Sequence, residues 1–370
     1  MSESDLPSLT SQLLWLAFGL GLAFGAIAQR THFCTMGAVA DIVNIGDWSR
    51  MRMWLLAVGI AMIGFNIMVA LGWVRAADSI YAGPRLQWLS QLVGGLMFGF
   101  GMVLASGCGS KTLVRIGGGS LKALVVFSVL AVSAWATMRG VTAVLRSATV
   151  DRVQVSLPGG QDLPSLAAGL GGTPGQRALL VGGLLGAALV AWVLARRDGR
   201  RAEVLLGGLS IGALVVGLWW VSGVLGHLQE HPQTLQEAFL ATSSQRMESF
   251  SFVAPLAYVL EKLVFFSDAS NHMTQGVAMV LGVVAGSALV AVAGRSFRWE
   301  GFGGSEDTAN HLVGAALMGV GGITAGGCTI GQGLSGVSTL ALGSFIALAA
   351  ILGGAVLGLR WQIWRVERQS

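Results

Sequence analysis

Three cysteines are the only thiols in the 370-residue chain, and all three fall in similar surroundings. Ala105-Ser106-Gly107-Cys108 ends a glycine-rich apolar run, and 220 residues later Ala325-Gly326-Gly327-Cys328 ends another. Aligned without gaps, 92–108 and 312–328 share eight of seventeen residues, including Gly94/Gly314, Gly99/Gly319, Gly101/Gly321 and the cysteines themselves. Cys34 likewise follows a glycine-rich run and precedes a short polar segment. A lone cysteine in an apolar helix usually behaves as a small hydrophobe. Three in one recurring context argue instead for a path lined by sulfur. A thiol is a weak S–H donor and a polarisable acceptor, which suits a soft, sulfur-bearing solute better than a hard oxyanion such as phosphate. The odd count leaves at least one thiol outside any internal disulfide. With no Cys-x-x-Cys and no histidine at ligand spacing, neither a metal nor a cofactor is expected.

Charge beside the thiols completes a candidate site. Arg30 and His32 precede Cys34, and Lys111 and Arg115 follow Cys108. The second copy has Gly331-Gln332-Gly333 where the first has its basic stretch, so the two are electrically unequal. Ionisable groups within membrane spans are costly and are functional candidates by default. Basic residues at helix ends also snorkel to the interface, and that reading is preferred for Arg115. Helices starting just after each Gly-Cys would turn free N–H groups and a positive dipole end towards an anion. The candidate substrate-binding residues are Cys34, Cys108, Cys328, Lys111, Gln332 and Arg30. Glu248-Ser249-Phe250-Ser251-Phe252 is a further polar cluster that would line an entrance.

The elements that must position these residues are membrane helices. The chain is 54% hydrophobic and only 11% charged, with mean hydropathy +0.70, too little charge to cover a soluble surface. Apolar runs near 13–28, 53–73, 89–104, 121–145, 178–194, 204–225, 277–293, 312–323 and 340–357 approach the roughly 20 residues that cross a bilayer. They are continuously apolar, unlike alternating barrel strands. Weaker stretches at 33–45, 107–119, 250–266 and 327–337 are too short or too polar to span. Short or glycine-broken segments at corresponding places in two halves point to a transporter's binding site. The expectation is an all-α integral membrane protein of about nine transmembrane helices plus re-entrant half helices, as one transport domain over 1–370. Two internal copies, roughly 10–145 and 200–360, are joined by a connector at 146–199, and an inverted relation between them is preferred. The amino end lacks the basic leader of a signal peptide. Arg196-Arg197-Asp198-Gly199-Arg200-Arg201 is the densest basic loop and is expected to face the cytoplasm. The net charge of +5 sits in such short loops and does not argue for nucleic acid. No Gly-x4-Gly-Lys-Ser/Thr loop is present, so no intrinsic ATP hydrolysis is expected.

Four stretches resemble the YeeE/YedE family of bacterial inner-membrane sulfur-transport proteins, whose characterised member takes up thiosulfate. They are Gln29-Arg30-Thr31-His32-Phe33-Cys34, Ala105–Arg115, Glu248–Pro255 and Gly326-Gly327-Cys328-Thr329-Ile330-Gly331-Gln332-Gly333-Leu334-Ser335-Gly336. The resemblance implies an hourglass-like helical protein with internal pseudo-symmetry and re-entrant segments meeting at mid-membrane. It further implies that Cys34, Cys108 and Cys328 pass thiosulfate along by transient S–H···S contacts without a lasting covalent bond. A TusA-like cytoplasmic sulfur-carrier partner and a place in the bacterial inner membrane are implied as well. Two readings stand beside this one: a membrane-embedded sulfurtransferase working through a persulfide, and a general small-anion or selenium-compound channel. The preferred reading is transport rather than enzymatic.

Overall fold

In a bilayer each apolar run must satisfy its own backbone hydrogen bonds, and a helix does so within one segment. The computed structural model describes residues 5–268 and 272–369; residues 1–4, part of the amino-terminal stretch read above, lie outside them. In chain order the helices are α1 (Leu6–Thr31), α2 (Thr35–Ile45), α3 (Ser49–Ala70), α4 (Trp88–Leu104), α5 (Gly109–Gly117), α6 (Leu121–Arg139) and α7 (Val141–Ala148). There follow α8 (Leu163–Leu166), α9 (Pro174–Leu194), α10 (Ala202–Trp220), α11 (Val253–Val264), α12 (Gln275–Ala293), α13 (Ser305–Thr324) and α14 (Leu342–Gln369). Strand is confined to two short pairs among the described residues, Arg85–Leu86 with Val155–Ser156 and His227–Leu228 with Ala238–Phe239. The molecule is an all-α membrane protein.

Eight of the described helical segments are long and apolar enough to cross a membrane. The expected ninth, α13, misses that measure because its first two turns carry Glu306, Asp307, Asn310 and His311. The run at 121–145 is two helices rather than one, because Gly140 takes an extended conformation between α6 and α7. The four weaker stretches become α2, α5, α11 and a π turn at Gly331–Gly336.

Glycine sets the spacing of the longest contacts. α1 and α12 run side by side in the same direction: a Cβ at Gly21 would strike the Met279 carbonyl, and one at Gly25 the Val283 carbonyl. Conversely, Gly282 and Gly286 lie against the Phe18 and Leu22 carbonyls. α4 and α14 pair the same way through Gly99 and Ile351. α4 and α13 instead run antiparallel, with reciprocal contacts. Gly94 meets the Gly321 carbonyl, with 2.6 Å left for a Cβ, and Gly101 meets the Gly314 carbonyl at 2.7 Å. Small residues let membrane backbones approach this closely, where dispersion replaces the hydrophobic effect as the driving force.

The two faces differ in charge. Arg52 pairs with Asp198 (3.2 Å), Arg115 with Glu300 (3.5 Å), Lys122 with Asp307 (2.8 Å) and Arg365 with Glu306 (2.8 Å) on the face that carries Arg196–Arg201. The opposite face carries Arg75 with Glu237 (2.8 Å) and Arg139 with Glu261 (2.7 Å). α14 ends on the Arg196–Arg201 face.

Candidate functional site

Each cysteine is built into the same backbone device. The residue two before it has left-handed φ: His32 at 51°, Ser106 at 55° and Gly326 at 72°. The residue one before it donates its N–H five residues back: Phe33 to Ala28 (3.3 Å), Gly107 to Met102 (2.8 Å) and Gly327 to Gly322 (2.8 Å). This is the Schellman ending, which satisfies late carbonyls and turns the chain sharply. The cysteine carbonyl then accepts the first bond of the next helical segment, from Ala38, Thr112 and Gln332 at 3.0, 2.9 and 2.8 Å. Thus Cys34 and Cys108 are the N-caps of α2 and α5, and Cys328 opens the turn that leads to the π segment.

The cap position turns free N–H groups on to the sulfurs. Gly37 N–H donates to Cys34 Sγ and Gly331 N–H to Cys328 Sγ, both at 3.4 Å. The Lys111 N–H is turned on Cys108 in the same i+3 relation, while Cys108 Sγ lies 3.2 Å from Ser110 Oγ. All three thiols are unoxidised and buried, at 8%, 1% and 0% exposure for Cys34, Cys108 and Cys328. Cys108 is central. Its thiol neighbours that of Cys34 and the hydroxyl of Thr329, and Cys328 lies within its electrostatic reach. Thr329 Oγ1 is buried without a hydrogen bond. Phe24 forms an apolar wall beside them, stacked on Phe250 at 5.0 Å between ring centres and tilted against Phe252 at 5.4 Å.

The other candidate residues divide. Lys111 is half-buried, forms no ion pair among the described residues, and acts electrostatically on the Cys34 thiol. Gln332 is 3% exposed, with its amide engaged: Nε2 donates to the Ala325 carbonyl (2.7 Å), and Oε1 accepts from Ser344 Oγ (2.6 Å). It braces the loop that holds Cys328. Arg115 is paired with Glu300. Arg30 is exposed, in surface grooves shared with Glu203, Leu206 and Ser296, apart from the thiol cluster.

Sequence reading missed Tyr81, one of two tyrosines in the chain. Its buried hydroxyl has no hydrogen bond and lies near Cys328. With Ser251 it closes on Gly331, where a Cβ would meet Ser251 Oγ at 2.7 Å and the Tyr81 hydroxyl at 3.1 Å. The signal for Tyr81 was its rarity; nothing local marked it. Beside the loop that leads into Cys328 a cavity of about 370 Å³ opens, lined by Gly326 and Gly327 together with Arg146, Glu248, Ser251, Tyr258 and Gln275.

The cluster has no grouping of metal-ligating side chains among the described residues. Chemically it offers soft sulfur contacts, N–H groups and one unpaired ammonium. A family model described as sulphur transport matches residues 30–357. The thiosulfate transporter TsuA of Escherichia coli (strain K12) is 26% identical over 361 residues, covering 95% of both chains. The protein of that name from Spirochaeta thermophila is 25% identical over 374 residues, covering 95% of this chain and all of its own. The probable transporter YedE of Escherichia coli (strain K12) is 29% identical over 112 residues, 30% of this chain and 26% of its own.

Proposed function

From the chain's standing as a member of the sulphur transport family, to which it belongs over most of its length, we propose that it carries thiosulfate inward across the bacterial cytoplasmic membrane. The observation that carries this reading is the convergence of Cys34 and Cys108, with Cys328 close by, beside the unpaired ammonium of Lys111.

Thiosulfate has a hard oxyanion end and a soft terminal sulfur. The soft end accepts S–H hydrogen bonds from the thiols in succession, Cys328, Cys108 and then Cys34. The N–H groups at the caps and Lys111 offset the charge of the oxygens. Each contact is weak, which suits conduction, since a solute must bind well enough to enter and weakly enough to leave. No bond to carbon or sulfur is made or broken. Gln332 acts by holding the Cys328 loop in place, and Arg30 acts at the inner mouth.

The two copies, 10–145 and 200–360, are related by inversion in this reading. The reciprocal antiparallel contacts Gly94–Gly321 and Gly101–Gly314 support it, because a two-fold axis pairs i with j′ and j with i′. A TusA-like carrier receives the sulfur on the Arg196–Arg201 face.

The test is uptake of radiolabelled thiosulfate into proteoliposomes, with sulfate, sulfite and selenite as competitors. Thiosulfate is expected to enter and sulfate to compete poorly. Equal uptake of sulfate, unchanged in a Cys108→Ala variant, would overturn the reading.

A further inference from the structure

The cavity beside the Cys328 loop holds a carboxylate in the way of an anion. Glu248 lines it, and among the described residues it forms no ion pair. Its place is imposed by its backbone: the N–H donates to Ser222 Oγ (3.2 Å), and Ser222 is fully buried. One carboxylate oxygen accepts from the Ser244 N–H at 2.8 Å.

The groups facing Glu248 do little to neutralise it. From α12 comes Gln275, 1% exposed, whose side-chain amide approaches the Glu248 carboxylate although neither amide atom closes a full hydrogen bond. α11 contributes Tyr258, and the loop before α4 contributes Tyr81. Arg146 of α7 reaches the same cavity but already has Asp151 at 3.3 Å. Beyond Tyr258 an adjoining cavity carries the Arg139–Glu261 pair, Lys262, Asp268 and His272.

A bare carboxylate there repels a dianion, whereas a neutral carboxyl offers it an O–H donor. The buried Gln275 amide beside it closes no full hydrogen bond and offers a second donor, and a buried amide left unmet is costly. Building on the transport reading above, we propose that Glu248 takes up a proton from the outer solution as thiosulfate enters this vestibule. The vestibule is therefore a proton-linked anion site, and anion and proton enter it together. The proton binds a Glu248 carboxylate oxygen, and no other bond changes. Burial pushes the Glu248 carboxyl up, against the Ser244 hydroxyl, the Ser244 and Ser243 N–H groups and the Gln275 amide that hold it down, so the linkage lies above the ordinary glutamate range. Binding is reciprocal: the anion favours the proton as much as the proton favours the anion.

The experiment is titration calorimetry of the purified full chain with thiosulfate from about pH 5 to about pH 8, starting just above the ordinary glutamate range. Buffers of different ionisation enthalpy count the protons taken up. The native protein is expected to take up a proton on binding, with affinity falling by up to about tenfold per pH unit as pH rises. Glu248→Gln is expected to bind with no proton uptake and a flat pH profile. Glu248→Asp and His272→Gln are expected to keep proton uptake. Binding by the native protein without proton uptake overturns the proposal alone, and needs no variant to fold. Proton uptake that survives in folded Glu248→Gln overturns it too. Failure of the folded native protein to bind thiosulfate at all overturns the transport reading, and this proposal with it.

Discussion

Cys108 stands between the other thiols, and its surroundings set its role. It neighbours Cys34, Ser110 and Thr329 at once, so replacing it would break the proposed sulfur path at its middle. Cys108→Ala is expected to abolish thiosulfate uptake in proteoliposomes while leaving the melting temperature nearly unchanged, since one small buried group replaces another. Uptake within twofold of native would remove the relay. Gln332→Leu tests a different role. It removes two hydrogen bonds and orphans the Ala325 carbonyl and the Ser344 hydroxyl, at an expected loss of ~1–3 kcal/mol. Thermal unfolding in detergent should show the lower stability; a melting temperature equal to native would show that the brace is dispensable.

At the scale of elements, the helix-to-cap junction is the repeated part. Three helices end in the same Schellman bond one residue before a cysteine, and only one of the three left-handed positions is a glycine, Gly326. His32 and Ser106 hold that conformation against a strain of about 1–2 kcal/mol for a residue with a Cβ. Ser106→Gly is therefore expected to stabilise the fold by about 1 kcal/mol or less, and Gly326→Val to destabilise it. A Cβ at Gly326 would also sit 3.1 Å from Gln332 Nε2. Comparison of the melting temperatures of the two variants decides this, and the reverse order would refute it. The same logic separates packing glycines from free ones. Gly286→Val drives a side chain into the Leu22 carbonyl and should prevent recovery of folded protein, whereas Gly19 has open space and Gly19→Ala should be tolerated.

Across the whole molecule, orientation follows from charge. The face with Arg30, Arg52, Lys122, Arg196–Arg201, Arg295, Arg298 and Arg365 is the more basic, and short basic loops stay cytoplasmic. The carboxy-terminal end of α14 is then expected inside, and the connector strand Val155–Ser156 outside. A cysteine placed at Ser156 should react with an impermeant maleimide added to intact cells, and one at Arg200 only after permeabilisation. The opposite labelling would invert the assignment, and with it the direction of the thiol sequence. Residues 227–248, which carry the short strand pair His227–Leu228 and Ala238–Phe239, lie on the outer side in this orientation. There Glu237 is held below the usual carboxylate range by His227 and Arg75. Its contribution to stability is present above the ordinary glutamate range and is lost as pH falls through the lowered value.

By itself the sequence determined the elements. Apolar length specified helices α3, α4, α9, α10 and α12 to within about five residues, and α1 apart from an amino end that begins seven residues earlier, because a bilayer admits almost no other spanning structure. The short stretches after each cysteine were legible for the same reason: too few apolar residues to span, begun at a point where the helix must break. Cys34, Cys108, Cys328 and Lys111 stood out by type and context. What tertiary structure alone decided is which of them meet. Cys34 and Cys108 lie 74 residues apart in the chain yet have neighbouring thiols, while Arg30, only four residues from Cys34, faces a surface groove. Gln332 turned inward to its own loop; Tyr81 was brought close to Cys328 by a segment with no local mark, and Glu248, marked in the sequence only as part of a polar cluster, to the wall of the adjoining cavity. Local sequence dictates where a helix stops and what caps it, through hydrogen bonds over five residues. Which caps share one cavity depends on glycine contacts between distant helices, and those are set only when the whole bundle packs.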